Sequence, residues 1–555
     1  MARVVAIGVQ NFERIISKNC FYIDKTLFIK EWWESNDEVT LIARPRRFGK
    51  TLNMNMLERF FSVAYQGQGG VFDNLAIWEE EKYRKLQGTY PVIFLSFAGV
   101  KADNFLEARE QIFHIITNLY AQHEYLRDSG KLGKKDKEYF DRIGINMGNS
   151  DVFFSLQRLS YFLYLYYGKN AIILLDEYDT PMQEAYINGY WKEIASFTRN
   201  LFNNTFKTNP YLERAVMTGI TRVSKESLFS DLNNLNVVTM TSDEYASCFG
   251  FTEQEVFAAM DEFGLENKDD VKRWYDGFTM GTVQDIYNPW SIINFLDKGQ
   301  LKPYWANTSS NGLAAKLIRR GSKNLKMQFA DLLSGKSIES RIDEGEIVFN
   351  WLDQSEDAVW GLLLASGYLK VVSICDDIYE MKLTNYEVTK MFGNMVHGWF
   401  GENLGDYNDF IKALLNGSLE EMNAYMNQIS LSVFSSFDGG THPSGRTNPE
   451  RFYHGFVLGL LVDLAGRYEL KSNRESGFGR YDVMLKPKNQ EDDGIILEFK
   501  IYDPRKESSL EETVQAALGQ IEEKKYEQEL LDSGISEGRI RKYGFAFEGK
   551  RVLIG

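Results

Sequence analysis

Short apolar runs alternate with stretches of helical periodicity over residues 1–240. Val39–Ala43 is one such run, and after it apolar side chains recur at the spacing of one helix face, at Leu52, Met56, Leu57 and Phe60. The other apolar runs of strand length are Pro91–Phe97, Ala171–Leu175 and Arg214–Gly219. Helical patterns rich in Phe, Leu and Tyr, such as Phe153–Tyr167, separate them. Strands that alternate with helices predict a parallel sheet covered on both faces, and thus an α/β domain at 1–240.

The pattern from Phe249 to Trp305 is helical, punctuated by "FGFTEQEV", "WYDGF" and "YNPWSI", which predicts a helical lid that we place at 241–330. Residues 331–440 contain a helix around Val359–Leu364, strands at "SGYLKVV" and Ile378–Leu383, and a helix from Glu387. This order is typical of a winged-helix module, although any α+β spacer gives the same order.

A turn-rich segment at 435–445 marks the start of a last domain, which we place at 441–555. An amphipathic helix follows, with one apolar face formed by Phe456, Val457, Leu460, Leu461 and Leu464. The pattern after this helix is again α/β. The chain is therefore predicted to be an α/β protein of four segments.

The composition limits the class of protein. A chain of 555 residues is too long for one hydrophobic core, and its net charge of -15 excludes a protein that coats nucleic acid over its whole surface. A local basic channel stays compatible with that charge. Cys20, Cys248 and Cys375 lie far apart without a Cys/His cluster, which fits a reducing compartment. There is no signal-peptide pattern and no apolar run near the roughly 18 residues of a membrane span, so we expect a cytoplasmic protein without membrane contact.

Gly49-Lys50-Thr51 lies between a predicted strand and a predicted helix, which is the context of a phosphate-binding loop. Lys50 would lie against the β- and γ-phosphates of ATP and Thr51 would bind Mg²⁺. The backbone amides of Arg46, Arg47, Phe48, Gly49, Lys50 and Thr51 would surround the phosphates. Arg44 occupies the position of the loop's first glycine, and the alternative for this motif alone is a surface turn with a basic flank.

Two further strand ends supply polar side chains. In "AIILLDEYDTP", Asp176 would hold Mg²⁺ through water and Glu177 would orient the attacking water. In "MTGITRVSKESLFSDLNNL", Thr218 would sense the γ-phosphate and Arg222 would be a cation near it. The alternative for this third segment is a loop with a capping threonine.

Several long motifs together resemble the AAA-ATPase-like family of bacteria and some eukaryotic microbes, whose relatives include the signalling ATPases with numerous domains. They are "YIDKT", "RPRRFGKT", "LLDEYDTP", "TGITRVSKESLFSDLNNL", "FGFTEQEV", "WYDGF" and "YNPWSI", over residues 4–310. The resemblance implies a P-loop NTPase sheet, ATP as the nucleotide, and a loop in which arginine often replaces the first glycine. It assigns no role to Tyr22, Asp24, Trp274 or Asp276.

The C-terminal segment carries a second set of polar residues. Asp482 follows a glycine-rich turn, and Glu498 and Lys500 lie on one face of the strand that begins at Gly494. Two carboxylates beside a lysine would bind Mg²⁺ or Mn²⁺, and the lysine would position or deprotonate a water for attack on a phosphodiester. In a chain with many charged residues, two acids and a lysine at this spacing also arise without function.

This arrangement resembles the PD-(D/E)XK nuclease superfamily, which implies a restriction-endonuclease-like α/β fold for this domain. Gln520 and Tyr526, expected on one following helix, resemble the extra Gln and Tyr of its RecB-like branch, although the spacing to Tyr526 is longer here. Glu475 would supplement the metal site. The basic residues Lys471, Arg474, Arg480, Lys486 and Lys500 would form a surface for a phosphate backbone, or a solvated hairpin edge.

The sequence therefore predicts an ATP-binding and ATP-hydrolysing protein whose nucleotide state controls a Mg²⁺-dependent nuclease, with DNA favoured over RNA as partner. A homo-oligomer and a protein partner are both compatible with this organisation. One alternative is a nucleotide-switched signalling or scaffold protein whose C-terminal domain binds nucleic acid without cutting it. Another is an ATPase that remodels a protein partner.

Overall fold

A computed structural model gives the fold, and it describes residues 3–222, 229, 232–305, 312–342, 352, 355–400, 407–433, 457–458, 460–461, 464, 467–472, 475–476, 479–480, 482–489, 491–549 and 551–555. The chain forms two compact units. The first comprises Met1–Leu313, Ser340–Tyr379 and Thr384–Glu387, and the second comprises Ala314–Glu339, Glu380–Leu383 and Val388–Gly555. The domain limits at 240, 330 and 440 stay predictions.

The α-helices are Phe12–Ser17, Leu27–Ser35, Lys50–Phe61, Glu81–Leu86, Phe105–Gln122, Tyr125–Asp128, Lys134–Arg142, Asn149–Tyr167, Thr180–Asn188, Trp191–Phe202, Glu253–Phe263, Lys268–Tyr275, Pro289–Lys298, Gly312–Arg320, Lys323–Leu333, Glu356–Ala365, Tyr386–Phe400, Tyr407–Asn416, Leu419–Val433, Leu510–Glu523 and Gln528–Asp532. The strands are β1 Val39–Ala43, β2 Val92–Ser96, β3 Ala171–Asp176, β4 Leu212–Gly219, β5 Leu235–Val238, β6 Phe251–Thr252, β7 Phe278–Met280, β8 Val283–Tyr287, β9 Ile338–Arg341, β10 Leu369–Cys375, β11 Ile378–Leu383, β12 Tyr468–Ser472, β13 Glu475–Ser476, β14 Gly479–Arg480, β15 Val483–Pro487, β16 Gly494–Ile501, β17 Ile540–Glu548 and β18 Arg551–Ile554.

The first unit contains a parallel sheet in the order β2-β3-β4-β1-β5. All residues of β1 and β3 are buried, as expected for strands with both faces covered. Ala43 at the end of β1 lies opposite Gly219 at the end of β4, and β3 pairs with the other side of β4. The carboxyl ends of β1, β3 and β4 thus meet at one edge, which confirms the predicted parallel sheet and brings the three polar segments together.

Residues 249–305 contain the predicted helices and also a small antiparallel sheet in the order β6-β8-β7. These strands are at most five residues long, too short to interrupt the helical periodicity of the sequence. The following segment has the predicted order of helix, strand, strand and helix, from Glu356–Ala365 to Tyr386–Phe400.

The second unit contains a mixed sheet in the order β12-β15-β16-β17-β18. β16 and β17 are parallel, and the helix Leu510–Glu523 forms the crossover between them. One sheet face is covered by the core that includes Val457, Leu460, Leu461 and Leu464 of the predicted amphipathic helix, together with Phe410, Leu414, Met422 and Met426. Phe456 lies outside the described residues.

Two asparagines bind the edge strand β18 through its backbone. Asn427 donates from Nδ2 to the Val552 carbonyl at 2.7 Å and accepts from the Val552 N–H at 3.0 Å. One helical turn earlier, Asn423 makes the same pair of bonds with Ile554, both at 2.8 Å. The amides therefore satisfy backbone groups that an edge strand would otherwise leave unpaired.

Asn427→Ala should weaken the end of the chain locally, because two backbone bonds of Val552 lose their partner at about 1 kcal/mol each. Hydrogen exchange of the peptide that contains Val552 should become faster by tenfold or more, since each ~1.4 kcal/mol of lost opening free energy corresponds to a factor of about ten. Asn416→Ala, an exposed asparagine at a nearby helix end, is the control. Equal exchange in both variants would contradict the role of the asparagine pair.

Candidate functional site

The loop between β1 and the helix Lys50–Phe61 has the shape of an anion cradle. Arg47 and Gly49 have left-handed backbones, with φ of 65° and 84°, and Gly49 directly precedes the helix. This turn presents backbone amides at a helix N-terminus, where negative charge is stabilised. Lys50 is 4% exposed, and its ammonium donates to the carbonyl oxygens of Arg44 and Pro45 at 3.1 and 3.0 Å. Burial lowers the pKa of Lys50.

Arg44, which replaces the loop's first glycine, points away from the cradle. Its buried guanidinium donates to the carbonyl oxygens of Thr239 and Glu244, after β5. Burial lowers the pKa of Arg44 to about 10. The arginine thus connects the start of the loop to the chain after β5. It does not occupy the space of the backbone amides nearer Lys50.

Asp176 at the end of β3 connects the three strand ends. Its Oδ2 accepts from the Thr51 hydroxyl at 2.8 Å, and its Oδ1 accepts from the Thr218 hydroxyl at 2.5 Å. Asp176 is 1% exposed, and burial raises its pKa against the opposing effect of the two hydroxyl bonds. The structure therefore joins the predicted Thr51, Asp176 and Thr218 in one contact group.

Glu177 follows Asp176 with a left-handed backbone, φ 52°, and its Oε2 accepts from the Thr180 hydroxyl at 3.1 Å. This turn places Glu177 in the wall of a cavity of about 540 Å³. Of the predicted residues, that wall contains Arg46, Arg47, Phe48, Gly49, Lys50, Thr51 and Glu177. Asp176, Thr218 and Arg222 are not among the described residues of the wall, but Asp176 contacts Thr51, which is.

The cavity wall also contains residues that the sequence did not indicate. Its apolar lining includes Val5, Val9, Phe21, Ile23, Phe251, Trp290 and Ile293. A cavity that combines apolar side chains with a phosphate cradle suits a ligand with a flat base and a charged tail. The sequence signal was that three motifs stood out: "YNPWSI" supplies Trp290, "YIDKT" supplies Ile23, and "FGFTEQEV" supplies Phe251.

The second unit brings together the C-terminal candidates. Asp482 directly precedes β15, and pairing of β15 with β16 places it beside Glu498. The Asp482 N–H donates to Glu498 Oε2 at 3.3 Å, and the Phe499 N–H donates to Asp482 Oδ2 at 2.8 Å. Glu498 is 3% exposed. Two carboxylates from neighbouring strands thus share one site.

Gln520 connects this carboxylate pair to the lysine. Its Nε2 donates to Glu498 Oε1, and its Oε1 accepts from the Lys500 ammonium at 2.8 Å. The orientation follows from charge, because a reversed amide would direct its oxygen at a carboxylate and its N–H groups at an ammonium. Gln520 therefore fixes the separation of Glu498 and Lys500.

Tyr526 belongs to the same group, but the prediction that it lies on the helix of Gln520 was wrong. The helix ends at Glu523, so Tyr526 is not on the helix of Gln520. Lys525 has a left-handed backbone, φ 53°, which turns the chain back. The buried Tyr526 hydroxyl then accepts from Gln520 Nε2 at 3.1 Å. The longer spacing is accommodated by this turn.

Two family models match separate parts of the chain. Residues 6–229 match the family described as "Predicted AAA-ATPase", and residues 448–555 match the "PD-(D/E)XK nuclease superfamily". The chain joins domains of these two families. It is also 25% identical over 392 residues to the "Uncharacterized protein in vnfD 5'region" of Azotobacter chroococcum mcd 1, with 69% of this chain and 67% of that protein covered.

The two families generally use a nucleotide and a divalent metal ion, and the side chains present fit both. In the nuclease domain, Asp482 and Glu498 offer the carboxylate oxygens that Mg²⁺ or Mn²⁺ prefers. In the ATPase domain, the Thr51 hydroxyl and the Asp176 carboxylate are in contact at the cradle. Among the described residues, no helix is long and apolar enough to cross a membrane.

The phosphate loop of the ATPase domain contacts the lid segment through consecutive side chains. The Arg47 guanidinium lies 4.4 Å from the ring centre of Trp290, and Phe48 packs edge-on against Phe278 at 4.8 Å. The Arg46 carbonyl accepts from Asn288 Nδ2 at 3.3 Å. The loop that would bind phosphate is therefore in direct contact with "YNPWSI" and "WYDGF".

Two motif residues near the cradle have contacts that explain their positions. Asp24 accepts from the Thr26 N–H at 2.8 Å and from the Ala76 N–H at 2.7 Å, and so fixes two chain segments together. Tyr22 lines the cavity, accepts from the Lys25 N–H at 3.3 Å, and has a pKa raised by burial. Tyr22 thus belongs to the cavity wall, whereas Asp24 connects the segment of Thr26 to that of Ala76.

The two unassigned residues of "WYDGF" lie in the lid segment. Trp274 packs edge-on against Tyr386 at 4.8 Å. Asp276 has a pKa raised to about 7, by burial and by the neighbouring carboxylate of Asp285. Trp274 therefore packs the lid segment against the helix that begins at Tyr386, and Asp276 faces Asp285 within the lid segment.

The predicted basic surface of the nuclease domain is partly neutralised. Lys471 pairs with Glu529, and Lys486 lies opposite Glu469 in the pairing of β12 with β15. Lys500 is held by Gln520. Arg474 and the side chains of Glu475 and Arg480 lie outside the described residues.

Proposed function

We propose that this protein is a cytoplasmic ATPase whose nucleotide state controls metal-dependent cleavage of a phosphodiester, with DNA as the favoured substrate. The observation that supports it best is that each matched domain contains an assembled polar site. The Thr51, Asp176 and Thr218 group lies at the cradle, and the Asp482, Glu498, Lys500 and Gln520 group lies in the C-terminal sheet.

At the nucleotide site, Lys50 would exchange its bonds to loop carbonyls for the β- and γ-phosphates. The amides of Arg46 to Thr51 would donate to the phosphate oxygens. Thr51 and Asp176 would hold Mg²⁺, which neutralises phosphate charge when it is bound. Glu177, in the cavity wall, would accept a hydrogen bond from the attacking water and so orient it.

At the nuclease site, Asp482 and Glu498 would hold the divalent ion, which polarises the phosphate when it is bound. Lys500 would direct its Nζ protons at the attacking water or at a phosphate oxygen. Gln520 would keep Lys500 and Glu498 at a fixed separation, and Tyr526 would fix Gln520. Partial burial would exclude bulk water from these contacts.

The test is cleavage of labelled single- and double-stranded DNA and of RNA, with Mg²⁺ or Mn²⁺, with and without ATP. We expect metal-dependent cutting of DNA at a rate that ATP changes. Cutting that is equal with and without ATP would contradict the control by nucleotide. No cutting from protein that still binds ATP would favour the scaffold alternative.

Glu177→Gln should keep ATP affinity while turnover falls by roughly 100-fold or more, because only the orientation of water is lost. Two quantities are measured: the amount of labelled ATP that stays bound through gel filtration, and the rate at which phosphate is released. Glu193→Gln, an exposed glutamate on the helix Trp191–Phe202, is the matched control and should behave as wild type. Unchanged turnover in Glu177→Gln would show that another group orients the water.

A further inference from the structure

A hydrogen-bonded chain of three side chains runs from the phosphate loop to the turn after β4. The Arg46 guanidinium donates from Nη2 to Gln183 Oε1 at 3.1 Å. Gln183 donates from Nε2 to Asp179 Oδ2 at 2.9 Å. Arg46 and Gln183 both line the cavity that contains Lys50 and Glu177.

Asp179 is a rigid end point for this chain. It is 1% exposed, and its Oδ2 also accepts from the Ile220 N–H at 3.1 Å and from the Thr221 N–H at 2.9 Å. A side chain at Gly219 would place its Cβ 2.7 Å from Asp179 Oδ1, so the close approach of this turn requires glycine. The carboxylate therefore connects the turn after β3 to the turn after β4 by hydrogen bonds.

Gln183 is suited to connect a cation to this buried carboxylate. Its amide offers an acceptor to the guanidinium and a donor to the carboxylate, and each charged partner makes a strong hydrogen bond. The hydrogen bond to Gln183 restricts the rotamers of the long Arg46 side chain. The contact therefore reduces the conformations of a cation that faces the cavity.

We infer that Gln183 is a positioning residue for ATP hydrolysis, which holds Arg46 where its guanidinium stabilises charge on the terminal phosphate in the transition state. This inference rests on the proposed function of the same cavity. Lys50 and the loop amides supply most ground-state binding, whereas Arg46 acts when charge develops. Gln183 acts through Arg46, so the two side chains should not contribute independently.

The test is a double-mutant cycle in the full chain, with Gln183→Met, Arg46→Met and the double variant. Each single variant should lower kcat roughly tenfold with KM within about twofold, as for an interaction made mainly in the transition state. The double variant should be no slower than Arg46→Met, because two residues in one network are not additive. Gln157→Met, which removes a hydrogen bond to Thr208 in the same unit, is the control and should retain wild-type turnover.

Retained ATP affinity and an unchanged melting temperature would show that Gln183→Met is folded. Rate losses that multiply in the double variant, or a Gln183→Met enzyme with wild-type kcat, would overturn the inference while the ATPase assignment stands. A rise in KM with kcat unchanged would overturn it too. Wild-type protein that neither binds nor hydrolyses ATP would overturn both proposals.

Discussion

Lys50→Ala should bind labelled ATP at least roughly 100-fold more weakly than wild type, because the phosphates lose their principal cation and its charged hydrogen bonds. Lys50 is the first residue of the helix that follows the cradle, and its ammonium is buried beside the loop carbonyls. The measurement is equilibrium binding of fluorescent or radiolabelled ATP in the presence of Mg²⁺.

The control for that result is Lys192→Ala, since Lys192 is an exposed lysine of the same unit. A melting temperature close to wild type would show that the loop of the Lys50 variant still folds. Affinity retained by Lys50→Ala would refute the nucleotide site at this loop, whatever the nuclease domain does.

Asp482→Asn and Lys500→Ala should each reduce metal-dependent cleavage of DNA by a hundredfold or more, corresponding to about 3 kcal/mol of lost transition-state stabilisation. The asparagine keeps the shape of Asp482 but removes the negative charge that would hold the ion. The alanine removes the ammonium that Gln520 holds beside Glu498.

Lys506→Ala is the matched control, because Lys506 is an exposed lysine shortly after β16. Higher Mg²⁺ or Mn²⁺ concentrations should partly restore Asp482→Asn, which would have lost ion affinity, but not Lys500→Ala. Cleavage that persists in both variants would point to a contaminating nuclease or to another site, and would refute this one.

Local pattern was enough to find the strands that carry the nucleotide site. Val39–Ala43 was predicted with the bounds that the structure has, and Asp176 was predicted at the end of β3. The order of the strands was not predictable, because pairing between β1 and β4 joins residues far apart in the chain and leaves no periodic signal. β5 escaped notice because only its last residue is buried, so it lacks a full apolar run.

The parts of the site that come from distant contacts were missed for the same reason. Val5 and Trp290 both line the cavity but are 285 positions apart in the sequence, and no spacing rule connects either of them to Lys50. Gln183 was hidden because a glutamine on a helix has no distinctive pattern. In the nuclease domain, the motif spacing located Asp482, Glu498 and Lys500, but the turn at Lys525 that returns Tyr526 to Gln520 depends on a backbone conformation.

The hydrogen bonds of the Arg44 guanidinium determine how long a fragment must be to contain the whole ATPase domain. Its acceptors at Thr239 and Glu244, and the strand β5 that pairs with β1, all follow residue 229, where the family match ends. A piece cut at that limit would bury a charged side chain without these acceptors and leave β1 as an exposed edge strand. Transplanting or expressing the nucleotide site alone therefore requires the chain to continue through Glu244, beyond the stretch that its family shares.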